Sequence, residues 1–92
     1  MTDEEVIARG RTAQRILNEP LYVESFDACE RNLIDEMAKA GTPAARAEYL
    51  RTVLIGLRSS KRYLTGAVAD GNYSASRAKE DEERRKWWRP AA

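Results

Sequence analysis

After "GTP" at residues 41–43 the chain runs Ala47, Leu50, Leu54, Leu57, Lys61, Leu64, Val68, and the spacings alternate between three and four without a slip. A period of 3.5 residues is the mark of a helix that lays one narrow edge along another helix. Val53 widens the same surface. Pro43 suits a first helical turn and Thr42 stands where an N-cap belongs. The spacing predicts a helix over about 43–69, ended by Gly71, and some 40 Å long at 1.5 Å per residue.

The preceding segment supplies a mate. Tyr22, Phe26, Cys29, Leu33 and Met37 form a seam bordered by Leu21 and Ile34. Pro20 opens this second helix, and Gly41 closes it at about residue 40. A connection of two or three residues at Gly41–Pro43 makes the two helices antiparallel neighbours. Ahead of them, "TDEE" reads as a capping box, with Thr2 as the cap and acids at the positive end of the helix dipole. Val6, Gly10, Ala13 and Leu17 follow at helical spacing, so a first helix is expected over about 3–17, stopped by "NEP".

Beyond Gly71 the character changes. "RAKEDEERRK" at 77–86 has one alanine as its only apolar side chain. A fourth helix, capped by Ser74 or Ser76, is expected to project into solvent. The i,i+4 pairs Glu80–Arg84, Asp81–Arg85 and Glu82–Lys86 would support it. Two units result: a helical hairpin domain at 1–71 and a charged extension at 72–92 that ends in the Trp-Trp tail. The fold class is all-α.

Within 92 residues, 34% charged and 42% hydrophobic, only a small core is available. The net charge of +1 conceals a polarity, because residues 1–46 carry −3 and residues 47–92 carry +4. Such asymmetry suits contact between copies or an acidic partner. One cysteine, Cys29, allows no internal disulfide and points to a reducing compartment. No apolar run reaches the ~18 residues of a membrane span, and "MTDEEV" lacks the apolar core of a secretory signal. The expected location is the cytoplasm, or a virion.

Chemistry finds little to use. There is no histidine, which removes Ser–His and Cys–His nucleophiles and most zinc sites. No glycine-rich phosphate loop occurs, and Cys29 falls on a seam, where a small core residue is the expectation. No enzyme activity, metal or cofactor is expected. Gly56 and Gly66 lie inside the third helix, where glycine costs ~1 kcal/mol relative to alanine, so each is expected either at a close helix approach, at a crossing or an oligomer contact, or at an exposed position that tolerates the cost. Arg51, Arg58 and Arg62 share a stripe beside the seam, facing either interhelical carboxylates (Asp27, Glu30, Asp35, Glu36) or a phosphate. Leu57, Lys61, Leu64 and Val68 form a candidate oligomer seam. The sharpest signal is the tail, in which Trp87 and Trp88 are flanked by Arg84, Arg85, Lys86 and Arg89. Tryptophan and arginine are the residue types most enriched at binding hot spots. Docking on protein, folding back on the hairpin and stacking on single-stranded nucleic acid are the competing readings. Cation–π pairing of Arg84 or Arg85 with Trp88 would keep the tail ordered.

Residues 12–71 carry an alanine-containing helix ending "LNEP", a following Tyr22 and "SFDA", and then a long helix closing on Gly41. This pattern resembles small all-helical proteins of tailed phages and prophages encoded among head, portal and packaging genes. The resemblance implies a role in virion assembly or packaging, exercised by contact rather than chemistry. The expected function is therefore that of an oligomeric interaction protein within a larger phage assembly. A nucleic-acid-binding accessory factor and a small inhibitor of a host protein are the rivals.

Overall fold

A computed structural model describes residues 1–88, and among these every regular element is helical. Helix α1 spans Asp3–Asn18, α2 spans Pro20–Ala38 and α3 spans Ala44–Trp87. The Thr2 hydroxyl accepts the Glu5 N–H at 3.2 Å, so the cap of α1 forms where the sequence placed it.

A single residue, Glu19, joins α1 to α2. Proline disfavours a helical conformation in the residue before it, and Glu19 is accordingly extended (φ −68°, ψ 120°). Its N–H donates to the Ile16 carbonyl while its own carbonyl accepts from Val23, so one residue closes one helix and opens the next. At the other end of α2, Gly41 takes φ +87°, a left-handed conformation that glycine reaches without steric cost. Thr42 does not cap α3. Its hydroxyl instead donates to the Glu36 carbonyl at 2.9 Å, finishing α2, and Pro43 stands at the start of α3 without a side-chain cap.

The largest departure from expectation is the continuity of α3. Gly71 does not end it, and no separate fourth helix starts at Ser74 or Ser76. The helix runs unbroken for 44 residues. The reason lies opposite, on α1. A Cβ placed on Gly71 would come within 3.0 Å of the Gly10 Cα, and one on Gly10 within 3.0 Å of the Gly71 Cα and the Ala67 carbonyl oxygen. Gly71 and Ser74 are both buried there, along with Gly10 and Ala13 of α1. Gly71 is thus a contact residue rather than a terminator.

The cross-links fix the topology. Asp3 pairs with Arg77 at 3.1 Å, Arg9 donates to the Tyr63 hydroxyl at 2.9 Å, Glu30 pairs with Arg58 at 2.9 Å and Glu36 with Arg46 at 3.0 Å. As the first member of each pair rises in number the second falls. Both α1 and α2 therefore run antiparallel to α3, one after the other, and meet each other little beyond their shared link. The three helices therefore share no common core but form a rod two helices thick, with extents of 79 × 25 × 18 Å.

The seam on α3 slips where one mate hands over to the next. Leu50 and Leu54 are buried beneath α2; beyond Leu64 the line passes through Ala67 to the buried Gly71 and Ser74. The step from Leu64 to Ala67 is three residues where the 3.5 pattern called for Val68. A break at Glu19 allows this, because α1 and α2 need not share one register.

The core is correspondingly thin. Among the described residues its buried apolar members are Ala13, Phe26, Leu50 and Leu54. Cys29 is exposed, against expectation, because a seam covered by one helix buries only its centre line. Lys61 occupies the seam as a cation over an aromatic ring: its ammonium lies 4.5 Å from the centre of Phe26 and stays in water.

Candidate functional site

The tail is the most exposed part of the molecule. Trp87 and Trp88 are 87% and 84% exposed. The last interhelical bond is Arg77–Asp3, so the final turns of α3 extend past the end of α1. That bond raises the Arg77 pKa above its ordinary value, first through the hydrogen bond to the Asp3 carboxylate and then through its charge. The tryptophans do not fold back onto the hairpin. Arg84, Arg85 and Lys86 occupy the last turn of α3, where cations favour the negative end of the dipole. Five consecutive residues at 100° each go right round a helix, so residues 84–88 form a knob rather than a face. Arg89 lies outside the described residues.

Two expected supports of this tip are not formed. Among the described residues the ion pairs all cross between helices, and none joins Glu80, Asp81 or Glu82 to the bases four residues on. The cation–π contacts are Arg46 on Tyr49 and Lys61 on Phe26, neither of which involves Trp88.

The arginine stripe divides. Arg58 is held by Glu30, while Arg51 and Arg62 are exposed. Arg58, Lys61 and Arg62 share a shallow groove with Asp27, Glu30 and Phe26. Two carboxylates in that groove weaken any hold on phosphate. In the candidate oligomer seam, Leu57, Leu64 and Val68 are half-buried within the chain itself, Leu64 and Val68 beside α1. Among the described residues no group of three or more Cys, Asp or Glu side chains is placed to hold a metal ion.

One surface escaped the sequence reading. The two edges of the α2–α3 pair differ. On one, Glu30–Arg58 is accompanied by Asp27, Arg51, Lys61 and Arg62. On the other, the Glu36–Arg46 rung repeats one heptad on as Cys29–Val53 and two heptads on as Tyr22–Ser60, with no further charge. Ser25 and Asn32 flank this line on α2, and Tyr49, Gly56 and Tyr63 flank it on α3. From Arg46, whose guanidinium lies over the Tyr49 ring, to Tyr63, whose hydroxyl accepts from Arg9, the face is roughly 25 Å long at 1.5 Å per residue, and only between those ends is it uncharged. Tyr49, Val53 and Tyr63 are 59%, 40% and 68% exposed there, and Cys29 is exposed beside them. In a chain one-third charged, such a stretch is conspicuous. The signal was legible as a second four-three run, Tyr49–Val53–Gly56–Ser60–Tyr63, one step round from the leucines.

Gly56 lies on this face, and nothing among the described residues stands within 4 Å of where its Cβ would be. The same holds for Gly66, so neither glycine marks a close approach within the chain; Gly10 and Gly71 do. Compared with known proteins, the chain matches no family model, no curated protein and no solved structure.

Proposed function

We propose that this chain is a non-enzymatic interaction protein: a helical rod that works as an oligomer and presents a tryptophan-bearing basic tip to a larger protein assembly. The observation that carries the reading is the tip itself. Two adjacent indoles, almost fully exposed, stand on a helix continued past its last internal support. Leaving two such side chains in water forgoes several kcal/mol of burial, of order 1.5–3 each, which a docking partner would recover. The rod form, 79 Å long and 25 × 18 Å across, supports a role by contact. The sequence's resemblance to tailed-phage proteins supports reading that assembly as one of virion construction or packaging, in the host cytoplasm or on the virion. Among the described residues no helix is long and apolar enough to cross a membrane.

The test is deletion of residues 84–92 from the full chain, read by capture of assembly components from a phage-producing lysate. Capture is expected to vanish while the circular dichroism of the remaining helix is retained. Capture unchanged by the deletion would refute the role of the tip.

Nucleic acid is the second reading, favoured by Arg84, Arg85 and Lys86 beside stackable indoles. Glu80, Asp81, Glu82 and Glu83 directly precede them and give residues 80–86 no net positive charge. Phosphate attraction therefore depends on the last turn alone. Retention of a single-stranded oligonucleotide at low salt, lost steeply as salt rises, would favour this reading over protein docking.

A further inference from the structure

Among the described residues, nothing covers the centre of the uncharged edge of the α2–α3 pair, around Val53 and Gly56. We infer that a second copy packs on it, the two copies related by a twofold axis that brings Gly56 of each close to the crossing. This rests on the proposed reading of the chain as an oligomer and adds which surface makes it so.

Four observations carry the inference. First, the amount of exposed surface. A compact protein of this mass exposes about 5,400 Å², and this chain of 10.4 kDa exposes 7614 Å². The difference exceeds the ~800 Å² per partner that a standard interface buries. Part of it is the extension beyond Arg77, but the exposed Tyr49, Val53 and Tyr63 lie along the hairpin.

Second, the chemistry of the face. A twofold interface sets one patch against itself, so any charge near its centre meets its like. The edge with Arg51, Arg58, Lys61 and Arg62 is ill-suited to that. The edge with Ser25, Cys29, Asn32, Val53, Gly56 and Ser60 has no charge at its centre, its cations being confined to the ends, Arg46 over Tyr49 and Arg9 at the Tyr63 hydroxyl.

Third, Gly56 is a helix-interior glycine with open space before it. The chain already uses glycine for close helix approach at Gly10–Gly71, and a second copy would give Gly56 the same use. Fourth, two such hairpins face to face make a four-helix bundle. Leu33 and Leu57, now half-buried, would then gain cover.

The test compares Gly56→Arg and Ser60→Arg with Ile55→Arg by sedimentation equilibrium of the full-length protein. Ile55 is exposed and adjacent in sequence, but points to the charged side. All three positions are open in the single chain, so folding is spared, which circular dichroism checks. The dimer dissociation constant is expected to rise at least tenfold for Gly56→Arg and Ser60→Arg and to change less than threefold for Ile55→Arg. As an independent readout, a short bismaleimide should couple the sole cysteine, Cys29, of the two copies in wild type and fail to do so in Gly56→Arg. A wild-type dimer left intact by both face substitutions, with no Cys29 coupling, overturns the assignment of this face while leaving the oligomer reading standing. A wild type that is monomeric throughout overturns both.

Discussion

Two glycine pairs, alike in sequence, have opposite surroundings. Gly10 and Gly71 oppose each other so closely that a methyl group on either meets backbone at 3.0 Å, whereas Gly66 faces open space. Overpacking of this kind costs about 1–3 kcal/mol, against ~1 kcal/mol gained in helix propensity. Gly10→Ala and Gly71→Ala are therefore expected to lower Tm. Gly66→Ala should raise it by a few degrees, in line with up to ~1 kcal/mol in a domain of this size. Thermal unfolding followed by circular dichroism checks the contrast; equal shifts at all three positions would refute the close crossing. The Glu30–Arg58 pair is weaker, because its side chains are 29% and 49% exposed. Glu30→Gln is expected to shift a urea midpoint by the equivalent of ~1 kcal/mol or less. The role of Gly71 was not legible in the sequence, where a lone glycine after a helical run reads as a stop. What decides otherwise is Gly10, sixty-one residues away, and no local rule couples the two. The exposure of Cys29 was not legible for a related reason. Its place on the seam was right, but the width of the seam that becomes buried depends on how many helices cover it.

The individual helices were largely legible. The cap at Thr2, the break at Pro20, the turn at Gly41 and the antiparallel hairpin all follow from local chemistry and from the leucine spacing. Their arrangement was not. A single extended residue, Glu19, lets α1 and α2 lie in series along α3, so the molecule is a rod. Phe26 is the hinge of packing on α2, buried beside Tyr22 and under Lys61. Phe26→Ala should cost about 3 kcal/mol, a large share of the stability of so thin a core. The end of α3 is the reverse case. Among the described residues, those beyond Lys79 make no interhelical bond, so a chain ending there should lose helical signal in proportion to length and keep its Tm within a few degrees. A large fall in Tm would mean that the extension folds onto the hairpin.

At the scale of the molecule, shape argues for association. A compact chain of 92 residues has a radius of gyration near 12 Å, and this one has 20.9 Å. The rod encloses few apolar side chains and leaves Leu21, Tyr49, Ile55, Tyr63 and Tyr73 more than half exposed. A single copy gathers little hydrophobic stabilisation, and self-association is the direct way to gather more. The most direct measurement is molar mass by light scattering across a concentration series of the full chain in moderate salt. The account predicts a mass that climbs above 10.4 kDa towards twice that value as concentration rises. A mass fixed at 10.4 kDa from micromolar to millimolar concentration would contradict it.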